Sequence, residues 1–176
     1  MSWRDDEKEF QGRLENVTLS TRYQNMHEHW DMQGSLIGEK EIFKFDVKGL
    51  KRFNRRFEED RGLPIQDEMM LVEWQNVNGN RGSILGVADK IAQRRKKYPW
   101  LIVPRQALWE MVKPKLNQKD ITAPAEVPWN FKKEPYVVCD RIKFINKRTG
   151  KPNNDRFAWV PYEDIEKLPD VIKLEK

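Results

Sequence analysis

The chain has 176 residues, with 33 Lys and Arg against 28 Asp and Glu and a formal net charge of +5. That length fits a single domain, and no window approaches the roughly 18–20 apolar residues of a membrane-spanning helix. One cysteine, Cys139, excludes an internal disulfide framework or a multi-cysteine zinc site. Two histidines, His27 and His29, have no evident third partner for a metal. Residues 5–22 allow a helix, with Phe10, Leu14 and Val17 at spacings of four and three. Residues 23–40 read as a turn or irregular stretch. Phe43, Phe45 and Val47 then alternate with Lys44, Asp46 and Lys48, the period of a half-buried strand, and Gly49 ends it.

Residues 50–68 are highly charged and read as a loop. A second strand covers 69–77, a turn 78–82 and a third strand 83–92. Residues 100–103 form a short apolar strand, and Pro104 opens a helix reaching about 113. Four prolines between 114 and 135 mark an extended connection. A β-β-α extension follows over 136–168, with strands at 136–145 and 156–160 and a helix from Pro161. Seven Trp, eight Phe and four Tyr suffice for a modest core. The order predicts one α/β domain over 1–176, a mixed central sheet flanked by helices. With no apolar leader at the N-terminus, a reduced, cytoplasmic setting is the default expectation.

The positive charge is uneven. Lys48, Lys51, Arg52, Arg55 and Arg56 fall within nine positions, Arg94, Arg95, Lys96 and Lys97 form a second run, and Lys143, Lys147, Arg148 and Lys151 a third. Such clusters attract phosphate backbones through Coulomb forces and counterion release, or form a solvated surface. Lys51, Arg52, Arg55, Arg56, Arg94 and Arg95 are the candidate contacts to such a backbone. Trp3, Trp30 and Trp129 lie in less regular segments, available for stacking on bases or for packing loops on the core.

Asp46 is a carboxylate in mid-strand, costly unless solvated or paired with a cation. Glu73 and Gln75 share one face of the second strand, opposite Met70, Val72 and Trp74. The 27 positions from Asp46 to Glu73 allow a long-loop hairpin with the two acids side by side. Two carboxylates on adjacent strands would bind Mg²⁺ or Mn²⁺, which polarises a phosphodiester and acidifies a bound water. No Gly-Lys-Ser/Thr follows glycines 79, 82 and 86, so a Walker-type nucleotide site is not expected, and Ser/His/Asp catalysis has no local signature.

Asp46 followed by Glu73-Trp74-Gln75 resembles the PD-(D/E)XK nuclease superfamily. Its core is a helix, a strand pair carrying Asp and then (D/E)-x-K, and a further strand and helix. Phe45-Asp46-Val47-Lys48-Gly49, the run from Val72 to Asn80, and Gly86-Val87-Ala88-Asp89-Lys90-Ile91-Ala92 are similar to small phage-encoded nucleases of that superfamily. The resemblance covers roughly residues 5–168 and implies a restriction-endonuclease-like fold. It implies a metal-dependent DNA endonuclease, phage or virus encoded, with a homodimer as an open question. Asp46 and Glu73 would hold the metal, Gln75 would stand in the Lys position and orient water, and Lys48 would stabilise charge on the phosphate. Lys90 is a second candidate cation, Asp89 a third candidate acid, and Glu9, Glu15 and Gln11 are candidates for the first-helix position. Because glutamine supplies no positive charge, the alternative is an inactive nuclease-fold protein serving DNA binding or virus assembly. A third reading is a host-takeover protein that binds another protein through its tryptophans.

Overall fold

The computed structural model describes residues 3–49, 68–76, 78–95, 100–117, 135–140, 145, 150 and 154–175. Its first helix, α1 (Trp3–Gln11), is shorter than the apolar spacing allows, and Leu14–Leu19 forms strand β1. Phe10 and Leu14 still enter one core, but from a helix and then a strand. The strand escapes a period-two search because its register shifts between Glu15 and Thr18, where Asn16 takes a φ of 54°. Such a bulge interrupts the alternation that marks a strand.

The stretch expected to be irregular carries α2 (Arg22–Glu28) and β2 (Met32–Leu36). Thr21 caps α2 through a capping box with Gln24, and His29 ends it in the left-handed region at φ 55°. No residue of α2 is buried, so no apolar stripe announces it. β2 pairs antiparallel with both β1 and β3 (Phe43–Lys48).

The expected strand over 83–92 is a 3-10 turn, Ser83–Leu85, followed by β5 (Lys90–Gln93). Gly86 explains the delay. A Cβ there would lie 2.6 Å from Glu28 O, so only glycine lets the chain run against the end of α2. The Val87 N–H donates to the same oxygen at 2.8 Å. β5 pairs parallel with β3 and antiparallel with β6 (Trp100–Pro104), and β9 (Ile172–Leu174) completes the edge. The six-stranded order is β1-β2-β3-β5-β6-β9.

The strand that carries Glu73, β4 (Met69–Gln75), lies in a second sheet. It pairs with β8 (Arg156–Pro161), which also pairs with β7 (Cys139–Asp140). The expected Asp46–Glu73 hairpin is therefore corrected: the place beside β3 belongs to β5. That place is covered on both faces, which suits Ile91, Ala92 and Gln93, all buried. The C-terminal β-β-α stretch supplies β4 with its partner strand. Of the Pro-rich connection, residues 118–134 lie outside the described residues.

α3 (Arg105–Val112) and α4 (Tyr162–Ile165) each follow a proline, Pro104 and Pro161. Phe10, Met32, Phe45, Val47, Ala92, Trp100 and Ile102 form one core, with α1 on that face of the large sheet. Ile91, Leu101 and Val103 face the other way, onto Met70, Val72 and Val160 of the small sheet and Leu108 and Val112 of α3. The architecture is mixed α/β. Among the described residues no helix is long and apolar enough to cross a membrane.

Candidate active site

Alternation along β3 sends Phe45 and Val47 into the α1 core and Asp46 and Lys48 to the opposite face. Asp46 is 3% exposed. Its Oδ1 meets Lys48 Nζ at 2.7 Å, while its buried Oδ2 has no hydrogen-bond partner among the described residues. Asp31, just before β2, completes the arrangement. Met32 is registered against Phe45, and the Asp31 N–H donates to Phe45 O at 2.8 Å, which sets Asp31 opposite Asp46. Cross-strand neighbours of this kind have Cβ atoms about 4.5–5.5 Å apart.

The Asp31 carboxylate is held at both oxygens. Oδ2 accepts from the Val47 N–H at 2.6 Å, and Oδ1 accepts from the Asn25 side chain of α2. Burial first, and then the Asp46 charge, push the Asp31 carboxyl up to about 7, against the lowering pull of Lys48 and the Val47 N–H. Glu7 of α1 adds a smaller repulsion. Burial works against the Lys48 ammonium, but Asp46, Asp31 and Glu73 outweigh it and hold the amine above its ordinary range. The site is thus two crowded carboxylates with one lysine, and one carboxylate oxygen is left without a donor. Those are the conditions a divalent cation relieves. Among the described residues, no cluster of three or more His, Cys, Asp and Glu side chains is placed to hold a metal ion.

The expected site residues divide accordingly. Asp46 and Lys48 are in contact. Glu73 is in the electrostatic neighbourhood of Lys48, although its strand belongs to the other sheet. Gln75 donates its amide to Asn154 O at 2.6 Å, beside a register shift between β4 and β8. Asp89 accepts from the Lys44 N–H at 2.8 Å and so fastens the start of β5 to β3. Lys90 Nζ lies 4.7 Å from the centre of the Phe43 ring. Trp30 is buried, with Lys44 Nζ 5.1 Å over its ring.

Two of the six expected DNA contacts are occupied within the protein. Arg94 pairs with Asp6 and, at 2.7 Å, with Glu9, both on α1. Arg95 meets Glu166 Oε1 at 2.5 Å and stacks 3.9 Å over the Tyr162 ring. Both guanidinium groups of this basic run are thus engaged by acids of the chain itself. Lys51, Arg52, Arg55 and Arg56 lie outside the described residues. Of the first-helix candidates, Glu9 is taken by Arg94 and accepts from Trp100 Nε1 at 3.1 Å, and Glu15 sits in β1. Glu7 is the helix acid that acts on Asp31.

Asp31, Asn25 and Gln93 were missed. Gln93 is 1% exposed and donates its amide to Lys48 O at 3.3 Å, Gly49 O at 3.0 Å and Arg94 O at 2.8 Å, tying down the backbone that carries Lys48. The available signal for Asp31 was local: an acid directly before the apolar run of β2, followed by Asp46-Val47-Lys48 on the next strand. Comparison with protein-family models, curated proteins and solved structures finds no match to this chain.

Asp31 predicts a pH dependence. The folded chain keeps this proton at pH values where an unfolded chain, with a carboxyl near 3.8, has released it. The native state therefore binds more protons between 3.8 and about 7, and stability falls as pH rises through that window. Without metal the loss from this group is expected to be on the order of 4 kcal/mol. Urea denaturation across the window measures it, and Asp31→Asn is expected to remove that part of the slope. Equal slopes in the two proteins would contradict the burial of Asp31 against Asp46.

Proposed function

We propose that this chain is a divalent-metal-dependent DNA endonuclease of PD-(D/E)XK type, with its site centred on Asp31, Asp46 and Lys48. The observation that carries the reading is the buried Asp46 Oδ2, without a partner among the described residues, in a carboxylate opposite Asp31 and two residues before Lys48. Asp31, then Asp46-Val47-Lys48 on the neighbouring strand, after a helix bearing Glu7, reproduces the Asp … (D/E)-x-K order of the superfamily. Gln75 is then no longer a defective lysine, because Lys48 fills that role. The parallel pairing of β3 with β5 makes the sheet mixed, which supports the reading because a restriction-endonuclease-like core has a mixed sheet.

Asp31 and Asp46 would hold Mg²⁺ or Mn²⁺, which supplies Lewis acidity toward a phosphodiester and a more acidic bound water. The chain's own groups do the rest. Val47 N–H and Asn25 aim the Asp31 carboxylate, Gln93 holds the Lys48 backbone, and Lys48 stands as a charged amine where negative charge grows on phosphate.

One observation favours a second reading, DNA binding without cleavage: no three acidic or imidazole side chains converge among the described residues. Supercoiled plasmid separates the two. Nicking in Mg²⁺ or Mn²⁺ that EDTA abolishes is expected, together with a rise in melting temperature on adding either ion at pH 8, because a ligand of the native state stabilises it. Plasmid binding with neither nicking nor a melting shift supports the second reading.

A further inference from the structure

Arg105 opens α3, and main-chain oxygens hold its guanidinium on two sides. Nε donates to Ala88 O at 2.5 Å and Nη1 to Ile84 O at 2.8 Å. The Arg105 N–H donates to Asp89 O at 3.1 Å. The head group is therefore oriented before any ligand arrives, at little further cost in side-chain entropy. Nη2, which carries two N–H donors, has no partner among the described residues and is not a buried orphan.

The charge is equally unmatched. Among the described residues no carboxylate forms an ion pair with Arg105, whereas Arg94, Arg95 and Lys48 each have one. Burial works against the guanidinium charge, and the more distant Asp89 and Asp46 only partly offset it. A half-buried cation with no paired anion is an unfavourable arrangement that an incoming anion would relieve. Its location selects that anion. Leu108 and Val112 of α3 pack against Ile91 and Val103, and Asp46 is registered beside Ile91 on the same face of the sheet. The guanidinium is fastened to Ala88 O, three residues before Ile91, the residue of β5 registered with Asp46, so it stands at the end of the strand that flanks the site.

We propose that Arg105 is a phosphate-binding residue that holds a backbone phosphate of the nucleic-acid strand beside the Asp31–Asp46 pair through its open Nη2 edge. The inference rests on that pair being a phosphodiester site. A planar guanidinium fits phosphate oxygens better than an ammonium does, so arginine and lysine are distinguishable here.

Binding of a labelled DNA duplex is measured in EDTA across a salt series, so that hydrolysis plays no part. Arg105→Gln is expected to bind about tenfold more weakly. It is also expected to lower the slope of log affinity against log salt by about one phosphate contact. Arg105→Lys is expected to keep that slope and bind more weakly than wild type. If both variants melt at lower temperature but keep the wild-type affinity and slope, Arg105 only braces residues 84–88 and the inference is overturned. Wild-type protein that retains no DNA at about 50 mM salt overturns it as well. The expected Arg105→Gln loss, in a protein that nicks nothing with Mg²⁺ or Mn²⁺, sustains the phosphate contact and removes only the hydrolase reading.

Discussion

Asp46→Asn is expected to lower Mg²⁺-dependent plasmid nicking by about 10²–10³-fold or more while leaving the far-ultraviolet dichroism of the fold in place. Asparagine has the same shape, so the buried pocket beside Ile91 need not repack. It carries no charge, so the site loses the anion that faces Asp31 and the oxygen that lacks a donor. Lys48, 2.7 Å from that carboxylate, keeps an oxygen to donate to but loses the negative charge that is the chief influence raising the amine above its ordinary range. The variant would therefore hold a cation poorly and leave Lys48 less firmly charged. Unaltered nicking by purified Asp46→Asn would move the chemistry elsewhere in the molecule.

The second large effect concerns stability. Phe10→Ala is expected to cost about 3–5 kcal/mol, read as a shift in the urea midpoint. Phe10 is 0% exposed and is the aromatic anchor of α1. Its ring stands edge-on to Phe45 at 5.2 Å and tilted against Trp100 at 5.0 Å. A nine-residue helix has little stability of its own and depends on such packing. The polar clasp from Arg94 to Asp6 and Glu9, and from Trp100 to Glu9, cannot replace the lost volume. A loss below about 1 kcal/mol would mean that α1 is held chiefly by that clasp.

Asp46 and Lys48 were legible because a strand with one buried face writes its alternation into consecutive residues. Asp31 was not, because its surroundings lack that signature. α2 buries nothing, and the bulge at Asn16 hides the strand before it. Strand pairing is non-local, so the apolar alternation of β4 revealed a strand without revealing that β8, more than eighty residues later, is its neighbour. The same limit applies to charge. Arg94 and Arg95 read as a solvent-facing run because Asp6, Glu9 and Glu166, which neutralise them, are far away in the chain. Arg105 attracted no notice for the opposite reason: it is isolated in the sequence, and only the fold shows that no carboxylate among the described residues forms an ion pair with it.

β6 gives Trp100 and Ile102 to one core and Leu101 and Val103 to the other. A strand shared in this way acts as a common wall. A shift of α1 presses on Trp100, and the same backbone carries the root of α3, where Arg105 begins. Asp46 on β3 and Arg105 at the root of α3 are thus joined through the hydrogen-bonded strands β3, β5 and β6, so the ladder between those strands sets how far apart the acid and the guanidinium stand.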